Sequence, residues 1–124
     1  MQHKKLERII NNARPLVQGL NRDKKHVSLI LRKGNVIAAG INVRQTHPKA
    51  KEFGYMYDEM HSELDAIRKV PKTQRDGLVL INLRFNNRGD LRMAKPCKNC
   101  TPWVLADFDR IWFSNRLGIM ERLK

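Results

Sequence analysis

The sequence predicts an α/β layered domain, and three observations carry that expectation. Apolar residues recur at helical spacing near the amino terminus, two short β-branched runs follow them, and strand-like and helix-like segments alternate from residue 58 onward. The chain has 124 residues, of which 41% are hydrophobic. That is enough for one domain with a real core, and too little for two.

The elements follow in order. Leu6, Ile9, Ile10, Ala13, Leu16 and Val17 predict an amphipathic helix over 3–19, with Gly19 as its stop. Residues 21–25 read as a basic loop. Val27 to Leu31 and Val36 to Val43 read as two strands joined by a hairpin turn at Lys33-Gly34-Asn35. Residues 44–57 have no clean period and read as a long loop, a kind often functional in a compact domain. A helix starting at Asp58 or Glu59 and ending near Val70, before Pro71, would bury Leu64, Ala66 and Ile67. Gly77 to Arg84 predicts an interior strand, residues 86–90 a turn, and Cys97 to Ala106 a helix with Pro96 at its entry. Arg110 to Ser114 predicts another strand, and Ile119 to Leu123 a last short strand or helix.

Charge and cysteine content narrow the class. The net charge is +13, from 25 Lys and Arg spread along the whole chain. Such an excess fits an anionic partner, either a phosphorylated small molecule or a nucleic acid, and tilts towards a polymer. No apolar run has the length of a membrane span, and residues 1–20 are charged rather than a signal peptide. The expectation is a soluble, intracellular, cytoplasmic protein without a membrane partner. Two cysteines three apart do not make a secreted disulfide scaffold.

Those two cysteines belong to the most informative pattern in the chain. His61-Ser62-Glu63 is followed, 36 residues after the histidine, by Cys97 in Pro96-Cys97-Lys98-Asn99-Cys100. His61, Cys97 and Cys100 are borderline-soft ligands suited to zinc, and three protein ligands leave the fourth tetrahedral corner open, as catalysis requires. Spacing of three puts both sulfurs on one side of a helical turn, and a helix start favours thiolate over thiol. Glu63, two residues past His61, points to another side of its helix and faces the open corner instead of completing the ligand set. Zinc activates a water near neutral pH. Glu63 would take a proton from that water and return protons to a ring nitrogen and to departing ammonia. The chemistry is hydrolytic deamination of an amino-substituted heterocycle.

Each part alone is weak. His-x-Glu occurs by chance, and Cys-x-x-Cys also fits a redox pair or half of a structural zinc site. His47 is a conceivable alternative ligand. The ordered combination, with a strand between the two motifs, is what carries the argument.

With these residues in view, the chain resembles the cytidine and deoxycytidylate deaminase superfamily of zinc enzymes, whose signature is His-x-Glu followed by Pro-Cys-x-x-Cys. The resemblance runs from Val27 to Ser114 and includes Gly40-Ile41-Asn42, residues 61–67, Lys95 to Cys100 and Arg110 to Ser114. It implies a three-layer α/β/α domain over residues 1–124, with a five-stranded mixed sheet. It also implies His61, Cys97 and Cys100 as zinc ligands, Glu63 as proton shuttle, Asn42 as a sugar or base contact, and the Ser62 backbone N–H near the pyrimidine carbonyl. Ser62 stands where the family usually has alanine. A histidine as first ligand fits the deoxycytidylate, tRNA-adenosine and polynucleotide-cytidine branches. The compact, basic chain resembles small phage and viral deaminases.

Two substrates compete. One is a free cytosine nucleotide or nucleoside, dCMP first among them, with its 5′-phosphate held by residues 44–48, including His47. The other is cytosine or adenine within single-stranded DNA or RNA, gripped by basic segments 22–25, 49–51 and 84–98 and stacked on Phe53, Tyr55, Tyr57, Phe85 or Trp103. For Trp103 and Trp112, core packing is the stronger reading. A nucleic-acid-binding module with structural zinc is a third reading, against which Glu63 argues. Related enzymes commonly assemble, so a homo-oligomer is also an expectation.

Overall fold

A computed structural model describes residues 3–19, 25–42, 61–98 and 100–124. Alternation of apolar residues along the strands builds a sheet covered on both faces. The strands are β1 (Lys25–Arg32), β2 (Asn35–Ile41), β3 (Leu78–Phe85), β4 (Leu91–Arg92), β5 (Arg110–Ser114) and β6 (Met120–Arg122). The helices are α1 (His3–Ala13), α2 (Ser62–Ile67) and α3 (Thr101–Asp107).

Five strands form the path β2-β1-β3-β5-β6, and β4 pairs with β3 beside it. The sheet is mixed: β3 and β5 are parallel, and the remaining pairs are antiparallel. The expected five-stranded mixed sheet is therefore present with a short sixth strand added. Two apolar clusters mark its two faces. Val27, Leu29, Leu31, Ile81, Leu83 and Phe85 pack with Ile9, Ala13 and Val17 of the amino-terminal segment. Ile30, Leu78, Leu80 and Ile111 pack with Leu64, Ala66 and Ile67 of α2 and with Trp103 and Val104 of α3. Residues two apart on a strand share a face, so His26 and Ser28 of β1 and Asn82 and Arg84 of β3 belong to the α2/α3 side.

Local chemistry explains where elements start and stop. Lys33 and Gly34 both have positive φ, and they close a two-residue hairpin between paired Arg32 and Asn35. The first helix ends at Ala13, earlier than its apolar spacing predicts. Pro15 lies in the next turn, which is 3-10 over Arg14–Leu16. The helix expected over 97–106 begins at Thr101 instead. Pro102 occupies its first turn, the position where a missing N–H costs nothing, so this proline and not Pro96 sets the start. Helical winding nevertheless begins at Cys97, whose carbonyl accepts the Thr101 N–H at 2.9 Å. Ile119 to Leu123 resolves to a strand, β6. The last helix turn before Pro71 is irregular beyond Ile67, and the expected start at Asp58 or Glu59 lies outside the described residues.

Two of the aromatic residues considered for base stacking pack inside. Phe85 is 1% exposed, with the Arg14 guanidinium 5.3 Å over its ring. Trp103 lies in the core against Phe108, with ring centroids 6.4 Å apart. Phe53, Tyr55 and Tyr57 lie outside the described residues, as do basic positions 22–24 and 49–51. No helix among the described residues is long and apolar enough to cross a membrane.

Candidate active site

The functional side chains gather at the carboxyl end of β3, where the chain leaves to cross over to parallel β5, the usual place for a site in a sheet of this kind. His61 is the residue that opens α2, with extended backbone (φ −67°, ψ 155°). Cys97 and Cys100 sit in the turn that leads into α3. The Thr101 hydroxyl fixes that turn by donating to the Cys97 carbonyl at 2.8 Å.

These three residues converge as the sequence motif requires. His61 Nδ1 is 3.4 Å from Cys97 Sγ and 3.5 Å from Cys100 Sγ. The three ligand atoms all lie within 4.8 Å of one another. A tetrahedral zinc with ordinary Zn–S and Zn–N bonds places sulfur and nitrogen about 3.5 Å apart. The donor set and its spacing thus fit zinc, and no disulfide joins the two cysteines. The hydrogen bond with Cys100 and the neighbouring His61 hold the Cys97 thiol down to about 4, against the burial that would raise it. Thiolate is the form that ligates a metal.

Glu63 is 5% exposed and faces the same pocket. Its support was not visible in the sequence. Ser62 Oγ donates to Glu63 Oε1 at 2.9 Å, Ser62 Oγ lies 2.8 Å from Ser28 Oγ, and Ser28 Oγ lies 2.6 Å from the Asn82 side-chain amide. All four residues are buried, so each contact replaces lost water. Three contacts need three hydrogens, and two hydroxyls supply two. The third comes from one end of the chain. With Ser62 donating to Glu63, that end is Asn82, whose amide turns its N–H to Ser28. Oε2 of Glu63 has no hydrogen-bond donor among the described residues and is left for the pocket. Ser62 is thus more than a tolerated replacement for alanine, because its hydroxyl joins the carboxyl to the sheet.

Asp65 locks α2 onto β2. Its Oδ2 accepts the Ile41 N–H at 3.0 Å, and Arg68 reaches Oδ1 at 2.7 Å. Burial alone would raise the Asp65 carboxyl, but the Ile41 N–H, Arg68 and Lys69 outweigh it and hold the group below its ordinary value. Beneath this lock lies Gly40, against the α2 backbone at Ser62 and Ala66.

The cavity holds about 360 Å³, within the range of small-molecule sites. His61, Ser62, Glu63 and Cys97 line it, Asn42 and Asn82 contribute amides, His26, Arg84 and Lys95 contribute basic groups, and Met93 and Ala94 complete the described lining. Asn42 lines the cavity as expected, and its Oδ1 also accepts the His26 backbone N–H at 3.2 Å. Ser62 lines it as the first residue of α2, where the backbone N–H has no acceptor within the helix. His47, proposed from sequence for substrate contact, lies outside the described residues. Ser28 and Asn82 are the residues that sequence reasoning missed, and their one signal was a polar side chain inside an otherwise apolar strand. Arg84 entered the sequence reading only within the basic segment 84–98.

No protein-family model matches the sequence, and no curated protein sequence matches it. Solved structures do match. A dCMP deaminase from the cyanophage S-TIM5, in complex with dCMP and dUMP, is similar with TM-score 0.64 and 18% identity, covering 94% of this chain and 85% of that one. The same enzyme in apo form gives TM-score 0.64 and 19% identity over 94% and 86%. A cytidine deaminase from Mycobacterium leprae gives TM-score 0.61 and 15% identity over 98% and 93%. The likeness at such identities is one of fold. It is the cytidine-deaminase-like α/β fold that the sequence resemblance implied.

Proposed function

We propose that this protein is a zinc-dependent hydrolase that deaminates a cytosine nucleotide or nucleoside, with dCMP the first candidate, to the uracil form with release of ammonia. One observation carries the reading: the His61, Cys97 and Cys100 ligand atoms converge beside a buried glutamate in a cavity of nucleotide size. The fold neighbours, among them an enzyme solved with dCMP and dUMP, support it.

His61, Cys97 and Cys100 would hold the zinc, which supplies Lewis acidity that brings a water's pKa to about 7. Glu63 Oε2 would take one proton from the attacking water and pass it to the ring nitrogen, then take the remaining proton of the added hydroxyl and pass it to the amino group, which leaves as ammonia. The Ser62–Ser28–Asn82 wire keeps Oε1 fixed while Oε2 gains and loses its proton. The Ser62 backbone N–H donates to the pyrimidine carbonyl, and Asn42 contacts the sugar or base.

The test is ammonia release by purified, zinc-loaded protein from dCMP, deoxycytidine and cytosine, alongside Glu63→Gln. Wild type should turn over at least one of them. Glu63→Gln should lose about 10²- to 10⁴-fold in kcat while keeping one zinc per chain by elemental analysis. No turnover of any of the three by wild type sinks the proposal. The net charge of +13 favours a second reading, deamination of a base within single-stranded DNA or RNA. Turnover confined to oligonucleotides would select it.

A further inference from the structure

We propose that Arg84, with Lys95 and His26 beside it, binds the phosphate of the substrate, so that the pocket is built for a phosphorylated cytosine compound and not for a bare nucleoside. The inference rests on the deaminase reading of the pocket and deepens it. From the sequence the phosphate was assigned to residues 44–48; the described cavity contains another cationic cluster.

Arg84 lies across from His26 in the β1–β3 ladder and two residues beyond Asn82 on the same face. Asn82 ends the wire from Glu63, so Arg84 stands one strand repeat, about 7 Å, further from the acid–base group. That step leads from the reacting base towards the rest of a nucleotide. Arg84, His26 and Lys95 all line the cavity, and the one carboxylate among its described lining residues, Glu63, is tied to Ser62.

The state of the Arg84 side chain points the same way. Its Nε is closed off from solvent, and among the described residues it has no hydrogen-bond acceptor. No carboxylate among the described residues pairs with its guanidinium, although Asp65 draws both Arg68 and Lys69. Across the other edge of β3 it faces a further cation, Arg92. A guanidinium whose Nε is shut off from water and from any acceptor among the described residues is costly to the free protein. A phosphate that accepts two parallel N–H bonds offsets that cost, and arginine is the side chain shaped for it. A neutral nucleoside offers nothing equivalent.

The phosphate has two sources, the terminal ester of a free nucleotide or the backbone of a single strand. The test uses ligands that undergo no deamination: dUMP, deoxyuridine and a short oligodeoxynucleotide carrying one dU. Binding to zinc-loaded wild type, Arg84→Met and Arg84→Lys is followed by calorimetry. Wild type should bind at least one phosphorylated ligand more tightly than deoxyuridine. Arg84→Met should weaken that ligand about tenfold or more beyond any change for deoxyuridine, the usual loss when a charge-assisted hydrogen bond goes. Arg84→Lys should recover part of the loss. Effects on dUMP alone assign a terminal phosphate, effects on the oligonucleotide alone assign the strand backbone, and effects on both assign a shared site. Equal wild-type affinity for all three ligands overturns the proposal, even if no variant folds. Equal losses for dUMP, oligonucleotide and deoxyuridine in Arg84→Met also overturn it. These readouts separate the two proposals: Arg84-dependent binding without turnover removes only the deaminase reading, and turnover with no phosphate preference removes only the Arg84 site.

Discussion

Replacing Gly40 by alanine puts a methyl group where β2 meets the backbone of α2. A Cβ built at Gly40 lies 2.8 Å from the Ala66 Cα, and closer still to the Ala66 amide nitrogen and the Ser62 carbonyl oxygen. Carbon atoms prefer about 3.5–4.0 Å, so α2 must move by about 1 Å to admit it. No flexible side-chain tip can yield, because the obstructing atoms are backbone. Overpacking of this kind costs about 1–3 kcal/mol. For a domain of this size that corresponds to a fall in Tm of roughly 4–12 °C. The same 1 Å shift displaces Ser62 and Glu63, and a misplacement of that size costs on the order of 10²-fold in rate. The assay is thermal unfolding by circular dichroism together with kcat/KM on the preferred substrate. Gly19→Ala is the control, since a Cβ there meets nothing within 4 Å. A Gly40→Ala protein that melts within 1 °C of wild type and keeps its full rate would refute the claim that close backbone contact holds α2 in place.

Two further outcomes follow from the buried polar groups. Ser28→Ala strands the Ser62 hydroxyl and the Asn82 amide, at a cost of about 1–3 kcal/mol in denaturant unfolding. In a double-mutant cycle Ser28→Ala and Ser62→Ala should be non-additive, and losses that sum within about 0.3 kcal/mol would show that the wire does not act as a unit. Asp65 has a lowered pKa in the folded chain. Its stabilising share is therefore full above the unfolded carboxyl value of about 3.9 and disappears as pH falls through the lower folded value. In chelator, to remove metal-linked titration, Asp65→Asn should melt below wild type at pH 6, and the gap should begin to narrow as pH falls below about 4. A gap that stays constant down to pH 3 would count against the assigned ion pairs.

The convergence of His61, Cys97 and Cys100 was legible in the sequence because that residue combination is rare and its spacing is local. A histidine and two cysteines in this order have few other uses, and winding from Cys97 onward brings the sulfurs together whether or not regular helix has begun. The strands were legible from β-branched runs, to within one or two residues. The support beneath Glu63 was not. Ser28 lies in Val27-Ser28-Leu29-Ile30 and Asn82 in Ile81-Asn82-Leu83, and each looks like a lone polar residue in a buried strand. Only strand register, Ser28 opposite Asn82, turns the two into partners. Arg84 was read both as the last residue of the 77–84 strand and as the first of the loop cations 84–98, and β4 is too short, at two residues, to show a period. The helix start at Thr101 turned on two prolines, Pro96 and Pro102, each acceptable at a first turn by local rules.

The hairpin of β3 and β4 separates two kinds of evolutionary freedom. Ser28, Asn82 and Glu63 are walled in by the sheet interior, and a change to any of them disturbs the fold as well as the chemistry. Met93, Ala94 and Lys95 hang from a two-residue strand, stitched to Ser114 through the Arg92 carbonyl and the Ala94 N–H. Insertions or exchanges in residues 86–95 can reshape that side of the cavity while the turn closed by the Cys97 carbonyl and the Thr101 N–H keeps its winding. Selectivity can therefore drift faster than reactivity, and a lineage sharing this architecture could change its preferred ligand by remodelling one exposed ribbon.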